Sequence, residues 1–336
     1  MISAFTNLNR FAVTGGSGFI GTNLIDALLS DGGTVLNLDI KPPQNPAHIR
    51  NYRSCDILDR QLLERILSEF KADALVHLAA RTDLVEGAGL QAYAANIEGV
   101  ENVLETLRAV PTIRRALFTS SKLVNKNGEM GKRAIDYTAD TLYGQSKVLG
   151  ERMVRQNPPA CEWTIVRPTS IWGPWFDVPY RQFFRSVANK TYFHIIGCDL
   201  PKRFGYVGNT VAQIISLLKC PSEQMSGQTF YLADYQVTTI REWADEISTQ
   251  LHGKRNLSAP DWMVKIAARA GDIAKLCGVA EPPLTSFRLR NMSTPTADVP
   301  IEKMMAIAAT LPFSQADGVR MTFQWLMAEK NLQKQS

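Results

Sequence analysis

Tyr143-Gly144-Gln145-Ser146-Lys147 places a phenol and an ammonium four residues apart in a stretch with helical patterning, so both lie on one helix face. An ammonium beside a phenol favours the phenolate and lowers its pKa. Tyr143 is thus a candidate acid/base for a substrate hydroxyl, with Lys147 as its partner. A solvated helix face would carry the same pattern. A second group, Phe118-Thr119-Ser120-Ser121, closes an apolar run about 20 residues earlier. Hydroxyls at the carboxyl end of a strand can hold a reacting oxygen, or they can cap their own turn. The third group is glycine: Gly15, Gly16, Gly18 and Gly21 follow the apolar run 11–14 and precede Ile20, Leu24, Ile25, Leu28 and Leu29 at helical spacing. Strand, G-x-G-x-x-G turn and helix together let a pyrophosphate approach the backbone and meet the positive end of the helix. Asp39 closes the next strand, 18 residues past Gly21. An acid there bonds the ribose hydroxyls of NAD and repels the 2′-phosphate of NADP.

The elements that must position these groups alternate. Strands are expected over 11–14, 34–40, 74–79, 116–120 and 163–170, and helices over 20–30, 60–70, 90–108 and 139–156. Strands apolar on both faces, joined through helices, imply right-handed βαβ units in an α/β, Rossmann-type doubly wound parallel sheet. Its ligands lie outside the carboxyl ends of the strands. After Trp172 the texture changes, and Gly173-Pro174 punctuates the chain. The expected division is a NAD-binding domain over 1–172, to which about 203–235 returns, and a smaller, mostly helical C-terminal substrate-binding domain over 173–336. In the latter, Thr239 and Glu242 form a capping-box pattern, and a last helix runs from about 315 to 332. Residues 261–278 alternate Trp262, Met263, Ile266, Ile273 and Leu276 with Lys265, Arg269 and Lys275. Such a stripe suits a membrane-surface helix or a helix packed inside the second domain. The second is the expectation, because it is the ordinary reason for amphipathicity.

Composition narrows the class. With 45% apolar and 21% charged residues the chain reads as soluble and globular. Its net charge of +5 is scattered and gives no nucleic-acid stripe. No signal segment or spanning apolar run is present, so a cytoplasmic protein with no membrane partner is expected. The five cysteines have no paired spacing and read as free thiols. His48, His194 and His252 lack ligand spacing, so no metal is expected. His77 sits in a buried strand pattern and reads as structural.

Order and spacing together resemble the extended short-chain dehydrogenase/reductases, and within them the NAD-dependent epimerase/dehydratase group acting on nucleotide sugars. The resemblance covers nearly the whole chain. It rests on T-G-G-S-G-F-I-G (14–21), Asp39, C-D-I-L-D with Asp56, V-H-L-A-A (76–80), N-I-E-G-V-E-N-V-L-E from Asn96, F-T-S-S (118–121), Y-G-Q-S-K (143–147), V-R-P-T-S-I-W-G-P (166–174) and Trp325 in the last helix. It implies that Gly15, Gly18, Phe19, Ile20 and Gly21 cradle the pyrophosphate of NAD. Asp39 would hold the adenosine ribose, Asp56 and Ile57 would flank the adenine, and Ala79, Ala80 and Asn96 would line the cofactor. Ser121, Tyr143 and Lys147 would form the catalytic triad, with Tyr143 and Lys147 also touching the cofactor and Lys147 reaching the nicotinamide ribose. Pro168 would stand beside the nicotinamide. On the substrate side it implies Ser121, Ser170 in the family's Asn place, and Lys202, Arg203 or Arg288 at a diphosphate. A homodimer is also implied.

Where sugar-nucleotide dehydratases carry an Asp-Glu pair, this chain has Lys122 and Leu123, which argues against elimination of water. Asn125 and Lys126 stand in place of the family's Tyr-Gly, and Asn209 replaces an Asp. The resemblance thus implies a nucleotide-sugar epimerase, at C4 of a UDP-hexose, that passes hydride transiently to bound NAD. A net oxidoreductase of the same fold, a keto-sugar reductase or a 3β-hydroxysteroid dehydrogenase-like enzyme, is the alternative. A non-catalytic dinucleotide sensor would have lost one of Ser121, Tyr143 and Lys147.

Overall fold

The computed structural model describes residues 8–335 apart from 84–88, 178, 279–283, 287–288 and 290–293. Seven parallel strands form one twisted sheet: β1 (Arg10–Thr14), β2 (Thr34–Asp39), β3 (Tyr52–Ser54), β4 (Ala74–His77), β5 (Arg115–Thr119), β6 (Glu162–Pro168) and β11 (Thr229–Leu232), in the order β11-β6-β5-β4-β1-β2-β3. The order reverses between β1 and β4, so the loops after these two strands part and leave the crevice where such sheets bind ligands. Helices α1 (Phe19–Ser30), α2 (Arg60–Phe70), α3 (Ala94–Ala109) and α4 (Leu142–Gln156) make the crossovers.

Strand residues alternate between two cores, as a period of two requires. Val13, Val76, Leu117 and Val166 face a cluster that includes α1 and α6 (Val207–Lys219). Ala12, Leu75, Ala116 and Ile165 face the cluster of α2 and α3. α1 packs on α6, α2 on α3, and α3 on α4.

The expected strand over 163–170 is two pieces. β6 ends at Pro168, and β7 (Ser170–Trp172) leaves the main sheet to pair with β10 (Phe204–Tyr206). The remainder is short: α5 (Tyr180–Ala188), β8 (His194–Ile195), β9 (Pro201–Lys202), α7 (Ser222–Met225), β12 (Thr238–Thr239), α8 (Ile240–His252), β13 (Ser258–Ala259), α9 (Asp261–Leu276) and the helices Glu302–Ile307 and Gln315–Gln335. An aromatic cluster of Trp172, Phe184, Tyr206 and Trp243 holds these pieces to β7. The expected capping box forms at Thr239 and Glu242. Asn209, at the start of α6, is locked in place: its amide donates to Asp234 Oδ1 at 2.8 Å and to the Phe313 carbonyl at 2.9 Å.

One expectation is overturned. α9 does not pack its apolar stripe inside the second domain. It buries only Val264, Ala268 and Gly271, and its large apolar side chains face outward. No described helix is long and apolar enough to cross a membrane.

Candidate active site

The glycine turn after β1 is shaped by what passes beside it. Gly15 has φ +70°, and a Cβ there would lie 2.5 Å from the Ala79 nitrogen. Only glycine lets the chain leaving β4 close over the turn. A Cβ on Gly21 would lie 2.4 Å from the Gly15 carbonyl oxygen. α1 starts at Phe19 with Gly18 as a cap that brings no side chain. The first-turn N–H groups of Phe19, Ile20 and Gly21 therefore have no carbonyl of their own helix and point into the crevice end of the sheet, with the dipole behind them. This cradle, which any side chain would fill, fits a pyrophosphate.

Asp39 closes β2 beside the turn. One carboxylate oxygen accepts from Ser17 N at 3.1 Å and the other from Lys41 N at 3.0 Å, which fixes the carboxylate at the rim. Asp39→Ala should therefore narrow the preference for NAD over NADP, as read by titration calorimetry with both cofactors. An unchanged ratio would remove Asp39 from the ribose site. Asp56 turns its own loop by accepting from Leu58 N at 2.9 Å, and Ile57 is buried against Gly99 of α3. Ala79 passes over the glycine turn, and Ala80 follows it in the chain.

Asn96 is committed elsewhere. Its Oδ1 accepts from Arg81 N at 2.8 Å, and its Nδ2 donates to the Arg81 carbonyl and to Ser146 Oγ, both at 2.9 Å. Through these bonds its side chain clamps the loop after β4 to α4.

Ser121 follows β5 and caps the single turn Lys122–Val124, its Oγ accepting from Leu123 N at 3.1 Å. Its hydroxyl stands close enough to the Tyr143 phenol to favour the ionised form. Tyr143 and Lys147 stand one turn apart on α4, which Thr141 starts by accepting from Gly144 N. Lys147 Nζ donates to the Thr119 carbonyl at 2.9 Å. Ser121, Tyr143 and Lys147 thus meet at the carboxyl end of β5.

Their electrostatics correct the expectation of a lowered phenol pKa. Burial pushes Tyr143 up to about 12, against the nearby Ser121 hydroxyl. Burial pushes Lys147 down to about 8, against the nearby Glu151 carboxylate. Desolvation is the largest cause of both shifts, and neither group figures in the shift of the other. His77 is pushed down to about 3 by burial and by Lys147. It stays neutral and hydrogen-bonded to Thr14 Oγ1 at 2.7 Å, the structural histidine that the strand pattern implied.

Glu151, one further turn along α4, was not singled out in the sequence. It takes a two-pronged bond from Arg167 of β6, 2.7 Å on each oxygen. Arg167 also donates to the Tyr231 hydroxyl of β11 at 2.7 Å, and Tyr137 donates to Glu151 at 3.1 Å. Tyr143, Lys147 and Glu151 at i, i+4 and i+8 were the available signal.

The expected substrate residues separate. Ser170 stands near the Tyr180 hydroxyl and favours its ionised form against burial. Arg203 spends its guanidinium on the backbone carbonyls of Ala297, Asp234 and Tyr235. Arg288 lies outside the described residues. Lys202, only 4% exposed, donates to the Thr294 carbonyl and sits within electrostatic reach of Lys122, the residue after Ser121. Burial holds both lysines down at about 8, and the neighbouring Lys202 adds to the effect on Lys122. Among the described residues, no group of three or more His, Cys, Asp or Glu side chains could hold a metal.

The profile of the NAD dependent epimerase/dehydratase family matches residues 11–233. A 3β-hydroxysteroid dehydrogenase/Δ5→4-isomerase of Mycobacterium tuberculosis is 30% identical over 278 residues, 77% of this chain and 74% of that one. The N-acetyl-α-D-glucosaminyl-diphospho-ditrans,octacis-undecaprenol 4-epimerase of Escherichia coli O157:H7 is 25% identical over 93% of both chains. Among solved structures, the UDP-glucuronic acid 4-epimerase of Bacillus cereus, in complex with UDP-glucuronic acid and NAD, superposes with a TM-score of 0.73, at 18% identity, over 95% of this chain and 99% of that one. The chain is a Rossmann-fold member of the NAD-dependent epimerase/dehydratase family of enzymes, with NAD as its cofactor.

Proposed function

We propose that the protein epimerises a hexose carried on a diphosphate, at C4, without net oxidation. The observation that carries this reading is the pair Lys122, the residue after Ser121, and Lys202, two largely buried ammonium groups within electrostatic reach of each other. Two like charges removed from water are costly until an anion lies between them, and a diphosphate is such an anion. A steroid has none.

In this reading Tyr143 takes the proton of the C4 hydroxyl and later returns it, with Ser121 holding the reacting oxygen. NAD, when bound, supplies a reversible hydride acceptor. Lys147, one helical turn from Tyr143, orients the cofactor ribose. Lys122 and Lys202 hold the diphosphate while the sugar turns over.

Purified protein should interconvert UDP-hexoses or UDP-N-acetylhexosamines without a steady change in reduced-nicotinamide absorbance. Stoichiometric formation of reduced nicotinamide from a 3β-hydroxysteroid would overturn the proposal. It would favour the dehydrogenase reading, which the 30% identity to the M. tuberculosis relative supports.

The lysine pair gives an independent check. An anion between the two lysines raises their pKa values from about 8 toward the ordinary 10.5. Above pH 8 the free protein has lost protons that the complex retains, so binding of UDP must take protons up. Calorimetry in two buffers of different ionisation heat should show this uptake at alkaline pH, and Lys122→Ala should reduce it. Binding with no proton uptake would separate the lysines from the diphosphate.

A further inference from the structure

Helix α9 is inverted relative to an ordinary surface helix. Its contact with the body is the stripe Val264, Ala268 and Gly271, at i, i+4 and i+7. On the opposite side, Trp262 is 63% exposed, Ile266 58%, Ile273 61% and Leu276 88%. At 100° per residue these four fall within about 80° of arc, diametrically away from the buried stripe. Met263 widens the arc and is exposed as well. The ribbon of β8 and β13 that feeds α9 adds Leu257 and Ile196, also exposed. Single exposed apolar residues are normal, whereas a contiguous row of large ones marks an interaction surface.

The charges say what covers it. Lys254 and Arg255 precede the helix, and Lys265 and Arg269 line one edge of the apolar arc, all exposed, whereas Lys275 falls on the side of the buried stripe. The acids of this stretch are engaged locally: Asp261 pairs with Lys265 at 2.5 Å, and Asp272 accepts from Ser286 N at 3.0 Å. An apolar face with an interfacial tryptophan and a basic flank matches the acyl boundary and anionic headgroups of a bilayer. A second copy of the chain fits less well. It would bring a second basic flank, and a face one helix wide and about 24 Å long falls short of the roughly 800 Å² per partner that stable complexes bury.

We propose that α9 is an interfacial anchor that lays the outward face of Trp262, Ile266, Ile273 and Leu276 into an anionic phospholipid surface. The anchor does not depend on which hydroxyl the enzyme oxidises. Full-length protein should co-sediment with phosphatidylcholine vesicles containing phosphatidylglycerol. It should do so less with phosphatidylcholine alone and less at high salt, because the basic flank is screened. Ile266→Glu with Ile273→Glu should lower the bound fraction at least about tenfold, since each change puts a charge where apolar surface must be buried. Both positions are exposed, so the circular dichroism and melting midpoint of this variant should match the parent. Trp262→Phe should remove the vesicle-dependent blue shift of tryptophan emission while retaining most of the binding. Parent protein that stays in the supernatant with both kinds of vesicle overturns the proposal. A parent that dimerises in sedimentation equilibrium while the double variant is monomeric overturns it in favour of a second copy on this face.

Discussion

Tyr143→Phe should lower turnover by about 10²–10⁴-fold, with NAD affinity and the melting midpoint close to those of the parent. The phenol ring is buried and packs near Tyr93, and phenylalanine preserves that packing. What is lost is the one oxygen that meets Ser121 and can carry the proton of a substrate hydroxyl. The loss should appear in kcat at every pH, because no neighbour can replace the phenol. His77 is held neutral and turned to Thr14, and Lys147 donates to a backbone carbonyl. Burial alone places the Tyr143 phenol at about 12, so the free enzyme holds it protonated at neutral pH. Near-normal turnover in the variant, measured with saturating NAD, would remove Tyr143 from the mechanism.

Arg167→Met should cost about 3–5 kcal/mol of stability, read by urea denaturation. Arg167 and Glu151 are both at most 2% exposed at the side chain. Removing the guanidinium leaves a carboxylate in the interior facing Tyr137 and the more distant Arg155, whose nitrogen is 3.5 Å away. The double change Arg167→Met with Glu151→Leu should recover much of the loss, because replacing both partners by apolar groups removes the stranded charge. Equal losses in the single and double variants would show that the pair's value lies in packing alone. Lys147 should feel the change as well. Glu151 is the carboxylate that supports its ammonium form, so the double variant should need lower pH for full activity.

Much of the site could be read from the chain because its parts are local. A glycine turn and the helix after it are consecutive residues, Asp39 is one strand away, and Tyr143 and Lys147 are separated by one helical turn. Their relation follows from backbone periodicity before any tertiary contact forms. The α/β order is legible for the same reason: strands apolar on both faces, alternating with helices, leave few arrangements open.

Only the tertiary structure could decide the rest, because it depends on which distant surfaces are brought together and dried. Glu151 of α4, Arg167 of β6 and Tyr231 of β11 become one network only when β11 joins the sheet edge. Asn96 becomes a clamp only when α3 lies against α4. Lys122 and Lys202 are 80 residues apart in the chain, and nothing local announces their meeting. The Tyr143 phenol was read as lowered by Lys147 because spacing reveals neighbours, whereas burial raises it, and spacing carries no measure of desolvation. α9 is the plainest case. Its periodicity establishes that the helix has an apolar side, but a period is the same whichever way the helix is turned. The body meets the small residues Val264, Ala268 and Gly271 instead, and that contact turns the large ones outward.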